Sequence, residues 1–321
     1  MIELDAGNAA GYLARRGLLA VRVSALGGGV SNTVLLAECE DRRLVLKQAL
    51  AKLRVEQEWL SERSRVFREA AALRLAAEVL PPGSVPEVLF EDRDNFLFAM
   101  SAAPAGAVTW KQLLLEGTIC EETAERAGRM LARLISATGT PDATREFGDQ
   151  TVFDQLRLDP YYRSTARRHP ELAPCFTRLI EDSGNRRVSL VHGDWSPKNF
   201  LLDGASMLAI DFEVIHFGDP SFDAAFLLNH LLLKSFYRPQ WRAGYAGLAR
   251  RFWTVLSAGL PPGFEWMEAA TLRHLGGLLL ARIDGKSPAE YIREEGLKQR
   301  IREAARELIL APPHSIGDVF A

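Results

Sequence analysis

The chain has 321 residues, with 39 basic against 41 acidic side chains and a net charge of −2. That balance gives no support for a nucleic-acid or membrane-surface partner. Hydrophobic content of 47% and charged content of 25% are ordinary globular values, and the length predicts one large bilobal domain or two modest ones.

Met1-Ile2-Glu3-Leu4-Asp5 has neither a basic nor an apolar stretch, so no signal peptide is expected there. Cys39, Cys120 and Cys175 form no metal pattern and no disulfide framework, which suits a reducing cytoplasm. Gly27-Gly28-Gly29-Val30-Ser31-Asn32 separates two short runs, the second over 33–37, and 43–47 predicts a third strand after the turn at Glu40-Asp41. A helix is predicted over 61–80, with Val66, Ala70, Leu73, Ala77 and Leu80 on one face and Pro81-Pro82-Gly83 as its stop. Residues 85–90 and 96–100 predict a hairpin. Ser101-Ala102-Ala103-Pro104-Ala105-Gly106 is small-residue chain with a proline, expected to be the hinge between an N-terminal lobe over 1–103 and a C-terminal lobe over 104–321.

Beyond that hinge the pattern turns helical. Ala124, Ala127, Leu131 and Leu134 mark a helix over 121–137, and 222–236 is apolar nearly all round, which predicts a buried helix. Further long helices are expected over 266–283 and 287–310. The fold class is therefore α+β: a small antiparallel sheet with one helix, then a larger, mainly helical lobe. No apolar run approaches the ~18–20 residues that span a bilayer. The longest, 224–233, is broken by Asn229 and His230.

The densest chemistry lies in His192-Gly193-Asp194-Trp195-Ser196-Pro197-Lys198-Asn199, followed twelve residues later by Asp211-Phe212-Glu213. Apolar runs over 188–191, 200–202 and 207–210, with a turn at Asp203-Gly204, predict strands that put Asp194 and Asn199 at one loop and bring Asp211 back beside them. Phosphoryl transfer needs such a set: one Asp to position the attacking hydroxyl and accept its proton, and an Asn and a second Asp to hold Mg²⁺. The loop has the spacing of the protein-kinase catalytic loop, with Gly193 where that loop has Arg. If Phe212 continues a strand, Asp211 and Glu213 share one face and both can reach a metal.

The pattern resembles the aminoglycoside phosphotransferase and choline kinase superfamily, whose members share the bilobal protein-kinase-like fold. Lys47-Gln48-Ala49-Leu50, Val85-Pro86-Glu87-Val88, Trp110-Lys111-Gln112-Leu113-Leu114 and the acidic Asp211-Phe212-Glu213 add a local similarity to methylthioribose kinase. The resemblance implies an ATP- and Mg²⁺-dependent phosphotransferase acting on a hydroxyl. It casts Asp194 as the catalytic base and Asn199, Asp211 and Glu213 as metal ligands. Lys47 would pair with the α/β-phosphates, with Glu69 as its helper. Gly28, Gly29, Ser31, Met100 and Ala102 join them at the nucleotide, and Arg282 would meet the substrate. His192 is read as a structural histidine bonding the loop backbone. Asp219-Pro220 looks like a helix start, and Asp223 suits the dipole one turn in.

About ten residues separate Asp211 from the helix near Phe222, and no Ala-Pro-Glu follows. A protein substrate is therefore disfavoured and a small, sugar-like acceptor preferred. The late helices mix Arg293, Arg300 and Arg306 with Glu294, Glu303 and Glu307 and show no acidic excess for a polycation. Trp241, Tyr245, Phe252, Trp253 and Trp266 would supply an aromatic cage for choline, but such a stripe more often serves as core. An aminoglycoside or choline/amino-alcohol kinase, or a catalytically silent nucleotide-binding scaffold, stay as alternatives. No nucleic-acid or membrane partner is expected, and the oligomeric state stays open.

Overall fold

The structure is a computed structural model that describes residues 2–27, 32–50 and 63–320. The described chain forms two compact units, Met1–Ala107 with Leu208–Val214, and Val108–Met207 with Ile215–Ala321.

The first unit is built on an antiparallel five-stranded sheet in the order β1-β2-β3-β5-β4. The strands are β1 (Ala20–Ala25), β2 (Asn32–Cys39), β3 (Arg43–Ala49), β4 (Val88–Asp92) and β5 (Leu97–Ser101). β3 is central, and Lys47 stands in it between Val34 of β2 and Phe98 of β5. Side chains alternate along a strand, so Leu44 and Leu46 go into the core with Leu35, Leu97 and Tyr12, and Lys47 goes to the opposite face. A six-residue helix, α1 (Ala9–Ala14), covers that core with Tyr12 and Leu13. It was not anticipated, because one turn and a half carries too little periodicity to read.

Helix α2 (Arg65–Val79) buries Val66, Glu69, Ala70, Leu73 and Ala76 on one stripe. Glu69 therefore sits on the apolar face rather than in water. Leu80 is extended, as the residue before a proline must be. The segment Leu208–Val214 belongs to this unit, where the Ala209 N–H donates to the Ser84 carbonyl at 2.7 Å.

The second unit is mainly helical. The helix Glu121–Thr138 runs against Arg242–Ala258, and Gly128 permits their close approach: an added Cβ there would lie 2.7 Å from the Phe252 carbonyl oxygen. The helix Ser221–Tyr237 is buried at every position from Ser221 to Ser235 and packs against Met267–Asp284. The helix predicted over 287–310 begins only at Glu295; Pro288 and the irregular chain after it account for the late start. Helices Ala173–Asn185 and Arg242–Ala258 and a π-helical stretch, Asp154–Arg163, were not anticipated. Pro160 lies inside that stretch and masks its helical pattern. Short strands β6 (Val108–Thr109) and β8 (Phe200–Asp203) pair, and β7 (Ser189–Val191) pairs with β10 (His216–Gly218). Strand β9 (Ser206–Ala209) lies where the chain passes from the second unit into the first.

Among the described residues, no helix is long and apolar enough to cross a membrane.

Candidate active site

In the first unit the chemistry gathers around Lys47. Its Nζ donates to Glu69 Oε1 at 2.8 Å and to Asp211 Oδ1 at 2.6 Å. The lysine and Glu69 side chains are buried, whereas that of Asp211 is 27% exposed. Burial opposes the charge on Lys47, but Asp211, Glu69 and Glu213 outweigh it and hold the ammonium well above its usual range. Burial pushes the Glu69 carboxyl up to about 7 against the pull of Lys47. Glu69 Oε2 has no hydrogen-bond partner, which is costly for an ionised carboxylate and agrees with the upward shift.

Asp211 does not continue a strand. β9 stops at Ala209, and Asp211 has φ of 69°, in the left-handed region that a non-glycine residue enters only under constraint. Asp211 and Glu213 therefore do not share the strand face expected for them, because no strand runs through Phe212. Glu213 instead lies in a turn, where its Oε2 accepts from Asn32 Nδ2 at 2.7 Å and lies 3.9 Å from Arg65 Nε. Its side chain is 11% exposed, so it is no loose surface carboxylate.

Met100 is buried on β5, paired with Val45 and Val88. Ala102 follows that strand and gives its N–H to the Arg43 carbonyl at 3.1 Å. Its amide is thus occupied within the unit. Gly28, Gly29 and Ser31 lie outside the described residues.

In the second unit the loop after β7 carries Asp194, which is buried. Asp194 Oδ2 meets Lys198 Nζ at 2.7 Å and Arg157 Nη2 at 2.9 Å, and Oδ1 accepts from Ser196 Oγ at 2.9 Å. Burial disfavours its charge, yet Lys198 and Arg157 prevail and keep the carboxyl well below the usual carboxylate range. Asp194 is therefore ionised at every ordinary pH. Where Gly193 leaves the loop without an arginine, Arg157 of the π-helical stretch brings a guanidinium to Asp194 and bonds the Gly193 carbonyl through Nε. No linear motif announces Arg157, so the sequence offered no signal for it.

Asn199 is buried at the end of a single helical turn, Pro197–Asn199. Its Nδ2 donates to the Asp194 carbonyl at 2.9 Å, a bond that leaves its side-chain oxygen uninvolved. His192 Nδ1 accepts from the Asp194 N–H at 3.2 Å, so this histidine does bond the loop backbone. Asp223 fixes the same loop from the Ser221–Tyr237 helix, accepting from the His192 and Gly193 N–H groups at 2.6 and 2.8 Å. Asp219, two residues before that helix, accepts from the Ser221 N–H at 3.0 Å and pairs with Arg186 at 2.7 Å; the helix start itself falls at Pro220, which is its N-cap residue.

Beside Asp194 the second unit encloses a cavity of about 180 Å³ whose walls include Lys198, His230, Lys234, Arg282, Glu290 and Tyr291. Arg282, singled out from the sequence, is thus brought into one cavity with Asp194. Lys234 was missed, although one lysine in an otherwise apolar helix is a readable signal: a buried cation persists only for a partner or a ligand. Burial, with Lys111 and Arg282 nearby, pushes Lys234 down to about 7.

The sequence pattern of the phosphotransferase enzyme family matches residues 22–269. Methylthioribose kinase from Escherichia coli O45:K1 (strain S88 / ExPEC) is 28% identical over 251 residues, covering 69% of this chain and 60% of its own length. Methylthioribose kinase 2 from Oryza sativa subsp. japonica is 26% identical over 246 residues, covering 68% and 57%. The chain thus spans less than two thirds of these relatives. Among solved structures, the gentamicin-APH(2")-IIa complex has the same fold, with a TM-score of 0.55 over 100% of this chain and 99% of that one at 16% identity.

Proposed function

Because the chain belongs to the phosphotransferase enzyme family, we propose that it is an ATP- and Mg²⁺-dependent kinase that phosphorylates a hydroxyl of a small, sugar-like molecule. The observation that carries this reading is Asp194: a carboxylate buried yet held ionised by Lys198 and Arg157, on the wall of a cavity. A carboxylate in that state is a weak base. Its contribution is to orient the acceptor hydroxyl in line and to take up its proton late, as charge leaves the oxygen. Ser196, Arg157 and the His192 ring keep Asp194 in one orientation, so little reorganisation is needed on reaction.

Lys47 supplies the cation for the nucleotide phosphates, and Glu69 holds that ammonium on its strand. Met100 and Ala102 stay assigned to the nucleotide, with Gly28, Gly29 and Ser31 on the glycine loop. Asp211, Glu213 and the Asn199 side-chain oxygen are hard oxygen donors of the type Mg²⁺ takes, and the part-exposed Asp211 carboxylate fits that use. When bound, magnesium supplies positive charge against the phosphates. A scaffold needs neither an ionised buried Asp194 nor the Lys47–Glu69–Asp211 cluster.

Glu213 divides the metal set from its surroundings. Glu213→Ala is expected to raise the Mg²⁺ concentration that gives half of the thermal shift by Mg-ATP, by roughly tenfold or more. A titration identical to that of the unsubstituted protein makes Glu213 only a partner of Asn32 and Arg65.

A further inference from the structure

The cavity beside Asp194 is unbalanced in charge. Four cations line it: Lys111, Lys198, Lys234 and Arg282. Lys198 is matched by Asp194 and Lys111 by Glu290. Lys234 and Arg282 form no ion pair among the described residues. The Lys234 ammonium is fully buried, and its hydrogen bond goes to the His230 carbonyl one turn back in its own helix, at 3.3 Å. It also lies 5.5 Å from the centre of the Tyr291 ring. Arg282 Nη1 reaches Ser287 and, at 3.4 Å, the Tyr161 hydroxyl, while its Nε is buried with no acceptor. The Tyr291 hydroxyl is likewise buried without a partner.

Two buried cations with no ion pair of their own are expensive, and the two carboxylates on the cavity wall, Asp194 and Glu290, are already paired with Lys198 and Lys111. An anion entering the cavity would supply the counter-charge that Lys234 and Arg282 lack. We infer that the phosphoryl acceptor is itself an anion: a small hydroxylated molecule carrying a carboxylate or a phosphate, received by Lys234 and Arg282. Delivery of its hydroxyl to Asp194 rests on the kinase reading above; the binding of the anion does not. At about 180 Å³ the cavity lies below the roughly 300–1,000 Å³ of pockets for drug-sized ligands, which fits a compact acceptor. A polycation would add to the charge already unmatched.

The test is calorimetry on the full chain without nucleotide, using matched probes: glycerate against glycerol, ribose 5-phosphate against ribose, and kanamycin as the polycation. At least one anionic probe is expected to bind about tenfold or more tightly than its neutral partner, and Lys234→Met is expected to remove that preference. The two pairs show whether carboxylate or phosphate is preferred. The inference is overturned if no anionic probe binds at millimolar concentration, if ribose, glycerol or kanamycin binds as well, or if folded Lys234→Met keeps the preference. Should that variant not fold, the matched pairs on the unsubstituted chain decide alone. ADP release with Mg-ATP separates the two readings. Transfer to ribose or glycerol but to neither anionic probe overturns the anionic acceptor and leaves a kinase. Tight anion binding with no Mg-ATP turnover overturns the kinase and leaves the anion site.

Discussion

Asp194→Asn is expected to lower kcat by roughly 10²–10⁴-fold, the usual span for loss of a positioned acid–base group. The amide keeps the shape of the carboxylate and the Ser196 contact but cannot take a proton. It also leaves Arg157 and Lys198 without their anion. Removing one partner of a buried pair costs roughly 3–5 kcal/mol. The loss here should fall below that range, because the Lys198 side chain is 48% exposed and can turn to water. Arg157, only 9% exposed, has no such escape. A melting curve therefore accompanies the rate measurement. A variant that stays folded, still responds to Mg-ATP and turns over at the unsubstituted rate removes Asp194 from the chemistry.

Lys47→Met has the second large effect, and it falls on stability as well as on nucleotide binding. The substitution preserves volume but leaves Glu69 and Asp211 without their shared cation. Breaking the buried pair is expected to cost about 3 kcal/mol, the low end for such pairs, because Asp211 is part-exposed and Glu69 can protonate. The pH dependence has a definite sign. Without Lys47 the folded-state carboxyl of Glu69 rises further above its unfolded value, so the folded protein binds more protons than the unfolded chain across that window, and stability falls as pH rises through it. Denaturant midpoints should therefore show a larger penalty at neutral pH than near the ordinary carboxylate range. A penalty that does not change with pH would mean that Glu69 keeps its charge with some other partner.

The parts of this account legible in the sequence were those with a period or a motif. The helix over 121–137 was recognisable because its apolar residues repeat at helical spacing, and that over 222–236 because it is a long run apolar nearly all round. The pairing of Lys47 with Glu69 was legible through the resemblance, which calls for a lysine on an apolar strand and a glutamate on the following helix; that Glu69 lies on the buried face of that helix was not. What failed was local geometry. The apolar run over 207–210 argued for a strand reaching Asp211, yet the left-handed backbone at Asp211 ends the extended chain, and no residue type there forces that conformation. Arg157 was invisible for a different reason, and Lys234 was passed over although a lone lysine in an apolar helix signals it. Each acts through packing between segments far apart in sequence: Arg157 lies thirty-seven positions before Asp194, and Lys234 meets Tyr291 of a later segment. Arg157, in a largely polar segment, reads as surface until its burial is known. Arg282 was picked out by analogy, but the reason it matters here, that it forms no ion pair although Asp194 and Glu290 line the same cavity, is a property of the folded chain.

The most direct measurement is product analysis with Mg-ATP and a panel of methylthioribose, ribose, ribose 5-phosphate, glycerate, amino alcohols, choline and aminoglycosides, with Asp194→Asn in parallel. Mass spectrometry and phosphorus NMR would follow both the nucleotide and the acceptor. The expected result is ADP formed only with an acceptor, in equal amount with a phosphate ester of that acceptor, and lost in the variant. ADP formed at one rate with and without every acceptor, its phosphate released to water, would contradict phosphoryl transfer to a hydroxylated small molecule.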